Sequence, residues 1–299
     1  MDRKTIYLPH RIISNYIGYS ELINIYWQLK KISNTEIIID FSYCSWFEAN
    51  LTAVLGAIFD IVCENNNSIN ISNLEGRIKN ILNRNSFLKQ FGIPDIKDHN
   101  KTTIPYQEFS QEKGPGFKDY IREKLLQKEN FPDLSILAEK KINESIFELF
   151  ENAYTHGACK NIHTCGQYFP NKKPARIDMT IVDMGQTIKT NVNRFRKKFG
   201  KEVLSGSQAI EWALIKGNTT KTGDNPGGLG LDVIFEFIKL NNGKVQIVSA
   251  DGYWEFRKGK TEAKLFDNNF PGTIANIEFN LDDNSYYQLK SEVSLDNIF

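Results

Sequence analysis

The sequence predicts an α/β (α+β) chain built as two layered domains, and three observations carry that prediction. Short apolar runs and helical patterns alternate, strand then helix, three times within the first third of the chain. A strongly periodic helix around residues 144–157 is followed by runs that alternate with period two. At 299 residues the chain is long enough to bury two separate cores.

Taken in order, residues 4–8 read as a short strand and 16–31 as a helix with Leu22, Ile23, Tyr26 and Leu29 inside. EIIIDFS at 36–42 is a continuous apolar run of the kind found in a strand covered on both faces. Residues 51–64 form a helix that buries Leu51, Val54, Leu55, Ile58 and Val62, and NNNS breaks it. A strand at 69–72 and a helix at 76–90 complete a first domain, 1–94. Residues 95–133 read as a connector, with a short strand at 103–106, a GPG turn at 114–116 and a charged helix at 117–128.

The second domain, 134–281, begins with a helix that Asp133 or Ser135 caps. Ile142, Ile146, Leu149 and Ala153 recur at steps of four, three and four, which gives it one apolar stripe. Beside the stripe, Glu144, Glu148, Asn152 and His156 form a polar line at i, i+4. A carboxylate one turn from an amide oxygen suits a hard cation such as Mg²⁺, which takes few protein ligands and keeps its waters. Alone, the same line is an amphipathic helix with a wet face. Cys159, His163 and Cys165 follow in a spacing that matches no common zinc site, and the segment reads as a β-turn carrying thiols.

Residues 175–183 alternate as a strand with Ile177, Met179 and Ile181 on its core face. Asp183 ends it, and by itself such an aspartate is more often a turn or cap residue; Gly185 follows, and lacking a side chain it permits close backbone approach. A helix at 207–216 buries Ala209, Trp212 and Ala213, and residues 217–228 form a polar surface loop. Gly227, Gly228 and Gly230 then precede a helix at 231–240, which aims free N–H groups and a helix dipole at anions. The loop is not of the GxxxxGK[ST] type. Residues 244–249 and 253–257 read as a hairpin, 273–281 as the strand that closes the sheet, and 282–299 as a C-terminal tail.

Four signals stand in a fixed order: ESIFELFENAYTHG, IVDMGQTI, NPGGLGLDVIFEFI and PGT before the last strand. Together they resemble the ATP-binding (Bergerat) fold of the GHKL superfamily of gyrase, histidine kinases and MutL, over roughly residues 135–281. The resemblance implies a two-layer α/β sandwich and roles by position. Glu148 matches the general base, Asn152 the Mg²⁺ ligand, and Asp183 the acid that accepts the adenine amino group, with Gly185 and Ile188 beside it. Gly228, Leu229, Gly230 and Leu231 match the phosphate-facing loop, and Thr220 and Lys221 the lid that meets the phosphates. Thr273 matches the hydroxyl residue behind the adenine pocket. Thr187 stands where the family often has glycine.

The first domain resembles the STAS fold of anti-sigma-factor antagonists in IIIDFSYCSWFEANL and ILNRNSFLKQFG. Regulatory members carry a phosphorylatable serine at the start of the helix after the apolar strand; here Ala49 or Asn50 stands there. The resemblance therefore implies docking or scaffolding rather than phospho-switching.

Lysine and arginine (37) nearly balance aspartate and glutamate (36), so nucleic-acid binding is not expected, and the basic run at Arg194–Lys198 reads as a solvated helix face. The start lacks a signal-peptide core, no run is long enough to span a membrane, and four cysteines without CxxC spacing fit a reducing cytoplasm. The expectation is a cytoplasmic ATP-binding protein that uses Mg²⁺ and works with a protein partner or a second copy. It is an ATPase switch, with a serine/threonine kinase resembling the anti-sigma-factor kinases, or a nucleotide-sensing module with little turnover, as alternatives. His10, His99, His156 and His163 sit in no HE/HD helix motif, which disfavours a histidine kinase. The 18 residues after 281 are too few for the lysine-bearing domain of gyrase and MutL relatives, so slow autonomous hydrolysis is expected.

Overall fold

Residues 2–215, 217, 218, 220 and 232–292 are described by a computed structural model. The first part runs β1 (Asp2–Tyr7), β2 (Arg11–Ile12), α1 (Tyr16–Leu29), β3 (Thr35–Asp40), β4 (Trp46–Phe47), α2 (Thr52–Cys63), β5 (Ser68–Ser72) and α3 (Gly76–Arg84). It continues with β6 (Thr103–Ser110), α4 (Gly114–Ile121), β7 (Asp133–Leu134), α5 (Ile136–Thr155), β8 (Asn161–Phe169), β9 (Arg176–Asp183), α6 (Ile188–Lys198) and α7 (Gly206–Leu214). After α7 come α8 (Asp232–Asn241), β10 (Lys244–Arg257), β11 (Lys260–Asn280) and β12 (Tyr286–Tyr287). Among the described residues, no helix is long and apolar enough to cross a membrane.

The fold is mixed α/β. A small parallel sheet has the order β1-β3-β5, and a larger antiparallel sheet the order β10-β11-β9-β8-β6. Helices α1 and α2 lie between the two sheets, and α5 to α8 cover the opposite face of the larger one. This position explains the composition of α2. Every residue from Thr52 to Phe59 is buried, which a helix needs when both sides face a sheet. One hydrophobic core thus joins Ile37, Leu22 and Val54 from the first part to Cys165, Val182, Val248 and Ile274 of the larger sheet. The second core lies between that sheet and α5 to α8.

Several elements differ from the sequence reading, mostly because the larger sheet is covered on both faces. Residues 161–169, read as a turn with thiols, form the nine-residue strand β8. Its polar residues face the first part: His163 Nε2 lies 3.6 Å from Asp60 Oδ2 on α2, and the Cys165 thiol faces Ala49 O at 3.3 Å. Strand β9 was expected to bury one face, yet Asp178 and Thr180 on the other face are completely buried too. The supposed hairpin at 244–257 is one long strand, β10, with a register shift between Ser249 and Gly252. Gly114–Gly116 begins α4 instead of forming a turn, and the helix stops at Ile121 in a single π-helical turn, Arg122–Leu126. α3 ends at Arg84 and a 3-10 segment, Phe87–Phe91, follows. β11 lies inside the sheet, and β10 and β6 form its edges.

Ser135 caps α5, accepting from the Ala138 N–H at 3.0 Å. The tail returns to this point: β12 pairs with β7, and the Ser135 hydroxyl donates to the Glu292 carboxylate at 2.6 Å.

Candidate functional site

A cavity of about 90 Å³ opens between the C-terminal half of α5, the end of β9, the first turn of α6 and the end of α7. Asn152, Asp183, Ile188, Thr220 and Thr273 all line it, so five residues singled out from the sequence converge there from separate elements. Leu149, Val192, Trp212 and Ala213 supply its apolar walls, and His156, Gln186, Asn191 and Asn218 its polar rim. The space exceeds by several times what one water needs.

Asp183 emerges at the last position of β9, where the strand leaves the sheet. Its Oδ1 accepts the Gly185 N–H at 2.9 Å, the turn that DMG encodes. The carboxyl is 8% exposed, and burial pushes its pKa up to about 7, with the Gly185 N–H opposing that rise. A buried acid with one backbone donor has spare acceptor capacity in a cleft of apolar walls and polar rim.

The approach of α5 to this turn leaves no room for side chains. A Cβ on Gly185 would sit 2.3 Å from Gly157 O, and one on Gly157 would sit 3.3 Å from Asp183 Oδ1. The close approach is held by hydrogen bonds from the Gln186 N–H to Gly157 O, 2.6 Å, and from Asn191 Nδ2 to His156 O, 3.0 Å. Thr187 caps α6 by accepting from the Thr190 N–H at 3.2 Å.

Behind Asp183, Ser249 ties three elements together. Its hydroxyl accepts from the Ile188 N–H at 2.9 Å, donates to Gly272 O at 2.9 Å, and lies 3.1 Å from Thr273 Oγ1. Sequence reasoning missed Ser249 and Gly272. The only available signal for Gly272 was its place in PGT, and its reason is steric: a Cβ there would fall 1.9 Å from Asp183 O.

Asn152 carries the most informative anomaly. Both its side-chain amide atoms are buried, and neither has a hydrogen-bond partner among the described residues. An unpaired buried amide costs about 1–3 kcal/mol, so its retention facing a cavity fits a group awaiting a ligand. That donor fits an Mg²⁺ ion held by few protein atoms. Among the described residues no cluster of three His, Cys, Asp or Glu side chains is placed for a metal. Glu148, one turn before Asn152, is half-buried and does not line the cavity. Lys221, Gly228, Leu229, Gly230 and Leu231 lie outside the described residues.

A second compartment of about 300 Å³ adjoins the first through His156, Gln186, Asn191 and Thr220. Its far wall is formed by Arg194, Phe195, Lys198 and Phe199 of α6. No protein-family model and no curated protein matches the chain.

Proposed function

We propose that this chain is a Mg²⁺-dependent ATP-binding protein of GHKL type, working in the cytoplasm as an ATPase switch or signalling module coupled to its STAS-like first part. The observation that carries this reading is that one cleft is lined by a buried, spare-acceptor carboxylate, Asp183, and an amide without a partner among the described residues, Asn152.

In this reading Asp183 accepts the exocyclic amine of adenine, and Ile188 and Val192 pack on the ring. Thr273 and Ser249 hold the position of Asp183 from behind. Asn152 would hold Mg²⁺, whose chemistry is to neutralise phosphate charge and orient the leaving group. Glu148 takes the proton of the attacking water or hydroxyl, an effect worth roughly 10²–10⁴ in rate. The place of Glu148 off the cavity wall favours one second reading, a nucleotide sensor that binds tightly and turns over slowly.

The test is calorimetric titration of the whole chain with ATP, ADP and GTP, with and without Mg²⁺, followed by incubation with γ-labelled ATP. Adenine-selective binding supports the reading, and indifference to adenine nucleotides defeats it. Label released as phosphate, passed to a protein hydroxyl, or retained on ATP separates switch, kinase and sensor.

A further inference from the structure

Five charged side chains meet where the first part of the chain covers the start of β9. Arg176 pairs with Glu48, which lies between β4 and α2, at 3.0 Å, with Asp178 at 3.1 Å and with Glu278 of β11 at 3.4 Å. Lys244 of β10 pairs with the same Glu278 at 3.1 Å. All of them except Arg176 are buried, so three carboxylates share two cations away from solvent, where unbalanced charge is costly. The second oxygen of Asp178, Oδ1, is buried and has no hydrogen-bond partner among the described residues. Asp178 is faced by Arg176 on its own strand, by Glu278 on β11, by Lys244 on β10, and by Glu48 and Tyr19 from the first part. Burial, and then the Glu278 charge, push its pKa up to about 7 against the pull of Lys244 and Arg176, while burial keeps the Tyr19 hydroxyl neutral.

The Arg176–Glu48 pair crosses the junction between the first part and the larger sheet, and Glu48 extends that crossing through Ser14. Glu48 Oε2 accepts the Ser14 N–H at 2.6 Å, and Ser14 O accepts from Lys244 Nζ at 3.2 Å and from Gln246 Nε2 at 3.0 Å. Glu278 has Lys244 besides Arg176, whereas among the described residues Glu48 has Arg176 as its only ion-pair partner. Glu48 also lines a cavity of about 430 Å³ that opens beside the cluster. The other charges on that wall include Arg11, Lys172, Arg257, Glu262 and Lys264, all exposed to water, which screens them, and the half-buried Glu255, which is bonded by Tyr253 and Gln246.

We propose that this cluster is a proton-operated latch at the corner where Ser14 and Glu48 meet the larger sheet. With Asp178 protonated, two carboxylates face two cations and Arg176 holds Glu48. When that proton passes to water, Asp178 competes for Arg176, and Glu48 turns into the adjoining cavity and lets go of the Ser14 N–H. The folded acid holds its proton to a higher pH than the unfolded one, so its contribution is complete in acid and is lost as pH rises through about 7. The latch is therefore closed in mild acid and loosens in mild base, and it does not depend on nucleotide binding.

The experiment is hydrogen–deuterium exchange of the full chain at pH 6 and pH 8, read by mass spectrometry and corrected for the intrinsic exchange rate at each pH. Peptides covering residues 11–19 and 44–52 should lose roughly tenfold in protection at the higher pH, while peptides from the centre of α5 should not. Asp178→Asn should keep the corner equally protected at both values. Glu278→Gln, which also leaves two carboxylates for two cations, should do the same and replaces Asp178→Asn if thermal melts show that variant unfolded. Asp183→Asn is made in parallel because Asp183 titrates in the same range, and it should keep the parent's response at the corner. The proposal is overturned by equal protection of the parent's corner at the two pH values, by an equal change in α5, by a full response in the folded Asp178→Asn or Glu278→Gln chain, or by loss of the response in Asp183→Asn.

Discussion

The side-chain amide of Asn50, on the turn entering α2, donates to Thr180 Oγ1 on β9 at 2.9 Å, and both residues are fully buried. The same amide reaches Ser14 Oγ and Asn276 Oδ1. The turn that carries Asn50 is therefore closed against the larger sheet, and this surface is already engaged within the chain. Asn50→Ala strips three polar groups of a partner and should cost about 1–3 kcal/mol. Urea unfolding should show a lower midpoint and, because one core spans both parts, a single transition. Two separate transitions in the parent chain would show that the shared core does not couple them.

Asp183 predicts a stability gain from removal of a functional group. Its folded pKa, about 7, lies above the ordinary carboxylate value because burial penalises the charge. Below pH 4 the acid is protonated in both folded and unfolded chains, and nothing is lost. Between pH 4 and 7 the unfolded chain releases its proton while the folded chain retains it, so stability falls as pH rises through this window. Above pH 7 the penalty is complete, on the order of a few kcal/mol. Asp183→Asn should therefore melt higher than the parent at pH 8 and nearly equally at pH 4, while losing adenine-nucleotide binding. A lower melting temperature at pH 8 would mean that the carboxylate is stabilised by contacts other than the Gly185 N–H.

The cleft was legible in the sequence where side-chain chemistry is tied to a backbone feature. Asn152 follows from the i, i+4 line of α5, and Asp183 with Gly185 from a strand running into a tight turn. Ser249 was not legible, because a serine inside an apolar strand gives no sign of the three partners that folding assembles around it. Strand β8 was hidden for a related reason. Period-two alternation exists only where one face is wet, and here His163, Cys165 and Gln167 are polar or thiol-bearing residues facing another layer of protein. The all-round apolar composition of α2 was the trace of that layer, but it does not say which second surface covers the helix.

Asn152 and Glu148 should separate binding from chemistry. Since the buried Asn152 amide has no partner among the described residues, Asn152→Ala removes an unpaired polar group and should stabilise the free chain by up to about 1–3 kcal/mol, less what the lost packing costs. The same change should abolish the Mg²⁺ dependence of nucleotide affinity. Glu148→Gln should retain affinity and reduce turnover by roughly 10²-fold or more. Parent-like hydrolysis by Glu148→Gln would remove that residue as the base without affecting the assignment of Asn152.

Gly272 offers a steric test of how Asp183 is held. A methyl group there would meet the Asp183 carbonyl oxygen at 1.9 Å, a distance that only backbone displacement relieves. The neighbouring Thr273 pairs with Asp183 across β11 and β9, and Ser249 bonds Gly272 O, so the displacement propagates to both supports of the cleft. Gly272→Ala should cost about 1–3 kcal/mol, the usual range for overpacking a tight interior. Because the shift acts directly on the strand end that carries the acid, affinity for adenosine should fall more than affinity for inorganic pyrophosphate, which does not engage Asp183. An equal loss for both ligands, measured by calorimetry on protein shown to be folded, would place the adenine contact somewhere other than the end of β9.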